Sequence, residues 1–126
     1  MSNYQIIAGY KGKKAQHIIT LQLISFEEDG LTFVYAPALD LTGYGKNEDE
    51  AKQSFETTLK EFVKYTDNKS TLVKELEKHG WVVKKKGSKM KGVKAPTYMD
   101  MLENNKEFNK IVNKKEYRQR IEEIAI

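Results

Sequence analysis

The chain has 126 residues, 39% hydrophobic and 10% aromatic, enough apolar material for one domain with a real core or one domain with an appended module. It has no cysteine and no apolar run near the roughly 18 residues of a membrane span, which excludes disulfides, thiolate metal sites and a transmembrane helix. The net charge of +4 is uneven: residues 1–69 hold 8 Lys/Arg against 10 Asp/Glu (−2), and residues 70–126 hold 14 against 8 (+6), a pattern that suits a lysine-rich solvated surface or a face for an anionic partner.

The amino-terminal "MSNYQIIAGYKGKK" lacks the basic-then-long-apolar order of a secretory signal, so the expected compartment is the cytoplasm. Within it "YQIIAGY" predicts a first strand, with "KGKK" as the turn before the next. In "HIITLQLISFEEDG" (residues 17–30), Ile19, Leu21, Leu23 and Phe26 are expected on one face of an extended strand, with Thr20 and Gln22 opposite, although strict alternation would set Phe26 with Thr20 and Gln22. "EEDG" is turn chemistry and "LTFVYAPAL" follows as a second strand, so the two runs predict an antiparallel hairpin. Pro37 has no amide hydrogen for a ladder, which places it at an edge or a strand end. "LTGYG" is expected to turn the chain sharply, because glycine tolerates positive φ.

"NEDEAKQSFETTLKEFVKYT" carries the strongest helical signal. Asn47 followed by Glu50 resembles a capping box, and Glu48, Asp49 and Glu50 complement the positive end of the helix dipole. Ala51, Phe55, Leu59, Phe62 and Val63 form one apolar stripe that must pack on the sheet. A second helix is predicted from Ser70, its expected cap, to Lys78, with Leu72, Val73 and Leu76 inward and Gly80 as the stop. "WVVKKK" predicts a short strand and "KGSKMKGVK" a turn and return. "PTYMDMLENN" predicts a short helix capped by Thr97 with Asp100 three residues on, "NKEFNKIVN" a further helical piece, and "RIEEIAI" a last strand. The expected class is therefore α+β. A small antiparallel sheet of three to four strands carries a helix on one face (1–69, β-β-β-α), and a basic helix–strand module with a C-terminal helical arm and strand follows (70–126).

The order hairpin, proline, Gly-x-Gly, acidic cap, amphipathic helix in "EEDGLTFVYAPALDLTGYGKNEDEAKQSFETTLKEFVKY" resembles the core of the HicB-type antitoxin domain. The matching positions are Asp29, Gly30, Pro37, Leu39, Gly43, Gly45, Glu48, Glu50 and Ala51, with Asn47 where that family commonly has a threonine cap and Tyr44 where it has a short polar residue. The resemblance spans residues 17–66. It implies a partly RNase H-like sheet with a helix laid on it, binding a small toxin ribonuclease. It also implies that Gly30, Pro37, Gly43, Gly45, Asn47, Glu50 and Ala51 serve the fold rather than a catalytic centre. Farther on, "LVKELEKHGWVVKKKGSKMKGVKAP" resembles the HicA-type toxins, whose fold is similar to double-stranded-RNA-binding domains, at Gly80, Trp81, Gly87 and Ser88. Lys89 stands where such a toxin carries its catalytic histidine. A lysine with an ordinary pKa of about 10.4 is a poor base at neutral pH, so this segment is expected to be inactive.

Lys84, Lys85, Lys86, Lys89, Lys91 and Lys94 fall within eleven residues with no acid between them. They are candidates for contact with nucleic-acid phosphates or with an acidic protein surface; equally, lysines decorate solvated edge hairpins to discourage edge-to-edge pairing. Trp81 is a core anchor or an interface anchor. His17 and His79 have no ligand-spaced neighbours, and Asp40, Asp49 and Glu50 do not compose a two-metal centre, since helix capping accounts for the acids at 48–50. No phosphate loop, dinucleotide fingerprint or nucleophile elbow occurs. The expectation is a non-enzymatic, antitoxin-like binding protein without cofactor or metal, acting as a homodimer that occludes a small toxin-like protein with a strand edge or its C-terminal arm. The alternatives are a nucleic-acid-binding protein that uses the Lys84–Lys94 hairpin, and a stand-alone structural dimer.

Overall fold

The computed structural model describes residues 3–7, 18–66, 69–87 and 89–125, and the chain is α+β. Strand β1 covers Asn3–Ile7, β2 Ile18–Glu28 and β3 Leu31–Ala36. β2 and β3 pair antiparallel with Glu28 opposite Leu31, leaving Asp29 and Gly30 as the whole turn. Both have positive φ, 52° and 79°, which is the twist that a two-residue hairpin demands and that an Asp-Gly pair supplies.

After Pro37, at the end of β3, the chain turns and enters β4 (Leu41–Gly45), antiparallel to β3 at the sheet edge. "LTGYG" is thus a strand and not the sharp bend its glycines predict, and neither Gly43 nor Gly45 has positive φ. These glycines answer a different requirement. Helix α1 (Glu48–Tyr65) crosses so close that a Cβ on Gly43 would lie 2.8 Å from the Ala51 carbonyl oxygen and nearer still to the Phe55 backbone. A Cβ on Gly45 would lie 2.7 Å from the Ala51 nitrogen. Close approach of two backbones is the other use of glycine in a strand.

Asn47 caps α1: its Oδ1 accepts the Glu50 amide at 2.9 Å, and its Nδ2 reaches back to Glu50 Oε2 at 3.4 Å. The helix buries Ala51, Phe55, Leu59 and Val63 against the sheet. It also closes the edge of β4. The Tyr44 amide donates to Ser54 Oγ at 3.1 Å, and the Thr58 hydroxyl donates to the Thr42 carbonyl at 3.4 Å. Side chains one helical turn apart thus occupy an edge that would otherwise invite another strand.

The second half contributes α2 (Lys69–Lys78), β5 (Val82–Lys86), β6 (Lys89–Lys94), α3 (Tyr98–Asn104), α4 (Lys106–Lys114) and β7 (Tyr117–Ala125). Ser70, the expected cap, falls within the described span of α2, and the chain leaves that helix through Gly80 at φ 90°. Thr97 and Asp100 form a reciprocal capping box at 3.1 and 3.2 Å. Asn105 separates α3 from α4 and accepts the Phe108 amide at 3.0 Å.

β7 is not a free arm. It lies between β1 and β2, parallel to β1 and antiparallel to β2 from Tyr117 opposite Phe26 to Ala125 opposite Ile18. The order is β1-β7-β2-β3-β4: four antiparallel strands joined on one side by a parallel fifth. The sheet draws strands from both sides of residues 69 and 70. β1 therefore neighbours β7 and not β2, because β7 offers β2 a match along most of its length. The "KGKK" segment lies outside the described residues. α1 covers the sheet face of Leu21, Leu23 and Val34. α4 covers the other, burying Phe108 and Ile111, with the Tyr98 ring edge-on to Phe108 at 5.4 Å. The expected single helical layer is joined by this second one. Among the described residues no helix is long and apolar enough to cross a membrane.

Candidate functional site

β5 and β6 form their own two-stranded sheet, from Val82 opposite Lys94 to Lys86 opposite Lys89. The ladder slips once: Lys84 faces Gly92 and Lys85 faces Met90, which leaves Lys91 as the extra residue of a bulge. A bulge twists the strand and re-aims its side chain. Val83 and Val93 pack against the core, whereas Val82 is 58% exposed. Lys84, Lys85, Lys86, Lys91 and Lys94 are all exposed, and Lys89 falls on β6 at the turn end of the hairpin. Among the described residues none of the five exposed lysines enters an ion pair. Nor does any acid occur in the chain between Glu77 and Asp100. The hairpin is therefore a basic surface whose exposed lysines make no ion pair among the described residues. Trp81, the remaining candidate for a contact surface, is only 4% exposed and donates from Nε1 to the Ala38 carbonyl at 2.7 Å. It pins the start of the hairpin to the turn after β3 and takes no part in the surface.

The residues that carry the family resemblance are positional. Gly30 makes the hairpin turn, Pro37 ends β3, Gly43 and Gly45 admit α1, Asn47 and Glu50 cap it, and Ala51 fills the space beneath it. Asp40, at φ 54°, accepts the Tyr35 hydroxyl at 2.7 Å, and Asn105 Nδ2 donates to the same Tyr35 oxygen at 2.9 Å. This knot ties β3 to the start of α4. Burial, reinforced by Asp40, pushes the Tyr35 hydroxyl well above its ordinary pKa. Asp40 is thus spent on packing, while Asp49 lies exposed in the first turn of α1. Among the described residues no group of three or more His, Asp or Glu side chains could hold a metal ion. His79 is 3.9 Å from Glu75 one turn back on α2, and His17 lies outside the described residues.

A second charged cluster escapes the local reading of the sequence. Arg118, Arg120 and Glu122 alternate on β7 toward the α1 face, opposite Ser25, Leu23 and Leu21 of β2. Glu48, the first residue of α1, accepts the Ser25 hydroxyl at 3.2 Å. It also meets Arg118 Nη2 at 3.1 Å and Arg120 Nη2 at 3.7 Å. Arg120 Nη1 in turn lies 3.9 Å from Oε1 of Glu122, whose side chain is fully buried. With Lys52, these groups line a cleft of about 450 Å³ between α1 and the sheet. The signal was present as the period-two order of "RQRIE", but its meaning depends on which face α1 covers. The chain matches no family model, no curated protein and no solved structure.

Proposed function

We propose that this chain is a non-enzymatic binding protein of an antitoxin-like kind that holds a small partner protein in the cytoplasm. The observation that carries the reading is the β5–β6 hairpin: five exposed lysines that form no ion pair among the described residues, on a two-stranded sheet fixed to the core by Trp81. The 17–66 resemblance supplies the antitoxin-like class, and the positional roles of its motif residues suit a scaffold better than a reaction centre. β7 is built into the sheet, and the β4 edge receives the side chains of Ser54 and Thr58. In this reading the hairpin is the contact surface, and its chemistry fits an acidic face on the partner.

A second reading rests on the same lysines. Cations placed along a hairpin, one of them re-aimed by a bulge, also suit the phosphates of a nucleic acid. Affinity would then fall linearly with log salt, with a slope near −0.7 to −0.9 per phosphate contacted. Affinity purification of tagged chain, with and without nuclease, separates the two. A small protein that persists after nuclease and is lost from a Lys84→Glu/Lys85→Glu/Lys86→Glu variant supports the first reading. Nucleic acid released by nuclease or salt supports the second. A partner bound equally by the triple variant sinks both. Light scattering on the same preparation reads whether the unit is the expected homodimer.

A further inference from the structure

A strand that pairs beside apolar neighbours should turn apolar side chains toward the helix that covers them. Leu21 and Leu23 of β2 obey this rule, but β7 sets Glu122 and Arg120 directly opposite them and Arg118 opposite Ser25. Breaks in otherwise consistent patterning concentrate at functional sites. We propose that the cleft between the first turn of α1 and β7 binds a small oxyanion, a carboxylate or phosphate carried on a compact apolar body. The cleft, at about 450 Å³, lies within the range of small-molecule sites, and Leu23 and Val34 give it an apolar wall. Its lining holds three cations, Lys52, Arg118 and Arg120, against two acids, Glu48 and Glu122. The 18-residue helix α1 begins there, adding the positive end of its dipole.

Glu48 shows where the oxyanion sits. Its carboxylate meets Arg118 at 3.1 Å and Arg120 at 3.7 Å, so one resident acid occupies the convergence of two guanidinium groups. The Arg118 side chain is 61% exposed and opens outward to an incoming oxyanion, whose two oxygens suit the planar guanidinium fork. Glu122, fully buried 3.9 Å from Arg120, positions that guanidinium from below. The ligand competes with Glu48 for the arginines, while Glu48 keeps the Ser25 hydroxyl.

Calorimetric titration of the full chain tests this with phenyl phosphate and benzoate, and with benzylamine as the cation of similar shape. Saturable binding of both anions at one site, without benzylamine binding, is the expected result. Arg118→Gln should weaken phenyl phosphate at least tenfold, and Glu48→Gln should strengthen it severalfold by removing the resident competitor. The Lys84→Glu/Lys85→Glu/Lys86→Glu chain should bind it as the natural chain does, which separates this cleft from the hairpin. If Arg118→Gln does not fold, backbone amide shifts in the natural chain decide: changes at Ser25, Glu48 and Gln119 support the cleft, and changes confined to Val82–Lys94 overturn it. Absence of saturable anion binding up to millimolar ligand, unchanged affinity in a folded Arg118→Gln, or preference for benzylamine also overturns it.

Discussion

Gly43→Ala tests the seat of α1 on β4 more directly than any change to a side chain. The added Cβ would stand 2.8 Å from the Ala51 carbonyl oxygen and closer to the Phe55 nitrogen and Cα. All three are backbone atoms, which cannot rotate away, so the helix itself has to lift by a little over about 1 Å to reach ordinary contact. A gap of that size forfeits roughly a quarter to a half of each dispersion contact it opens. The contacts concerned are those of Ala51, Phe55 and Leu59, all fully buried. The loss belongs at the upper end of overpacking, about 3 kcal/mol, and removing glycine's extra unfolded-state freedom returns no more than about 1 kcal/mol. The net of about 2–3 kcal/mol corresponds to a fall in Tm of roughly 10 °C for a domain of this size. Urea unfolding followed by circular dichroism measures it as a shift in midpoint at constant slope. Gly92→Ala is the control, because a Cβ there meets nothing within 4 Å, and it should change stability by less than about 0.5 kcal/mol. If Gly43→Ala is as stable as Gly92→Ala, α1 does not cross β4 in this register and the account of "LTGYG" is wrong.

Further outcomes follow from the edge, the knot and one surface pair. Replacing Ser54 by Ala together with Thr58 by Val strips the side-chain partners from the Tyr44 amide and the Thr42 carbonyl; it should cost about 1–2 kcal/mol and produce concentration-dependent association in light scattering. A double variant that stays at the natural chain's size refutes the role of edge closure. Tyr35→Phe removes the hydrogen bond to Asp40 and should cost about 1–2 kcal/mol. Because burial raises the Tyr35 pKa, the stability linked to its proton is fully present below the ordinary value of 10 and is lost as pH rises above it. Urea midpoints from pH 8 to 11 should therefore fall more steeply in the natural chain than in Tyr35→Phe. The Lys115 ammonium, hydrogen-bonded to Glu28 at 2.9 Å, lowers the Glu28 pKa from its ordinary 4.5. That contribution is present above 4.5 and lost as pH falls below it, and Lys115→Met should return Glu28 to its ordinary value in an NMR titration.

What the sequence discloses depends on how far each cause lies along the chain. The β2–β3 turn is legible because Asp29 and Gly30 carry its whole conformational requirement between them. The start of α1 is legible because Asn47 and Glu50 are three residues apart, and the Thr97–Asp100 box is legible for the same reason. β4 is misread because its glycines look like a bend when read locally, whereas the atoms that require them belong to Ala51 and Phe55 on the next element. The place of β7 is hidden more deeply, since Glu122 answers to Leu21 about a hundred residues earlier. Of the two charged surfaces, the lysine hairpin is visible because its cations are contiguous. The cleft is not, because Glu48, Lys52 and the "RQR" run meet only once the sheet is assembled.

The central position of β7 also sets a timetable. During synthesis β2 can pair with β3 on one side almost at once, but the strand for its other side is still roughly 90 residues from being made. At about 5–20 residues per second the wait is roughly 5–20 s. Until then the β7 side of β2 has no strand partner from β7, while the β4 edge can be closed by Ser54 and Thr58 as soon as α1 is made. This protein should accordingly lean on chaperones in proportion to how slowly the codons for β7 are read. A chain that stops before Tyr117 lacks the strand that joins β1 to β2, and should fail to assemble the five-stranded sheet.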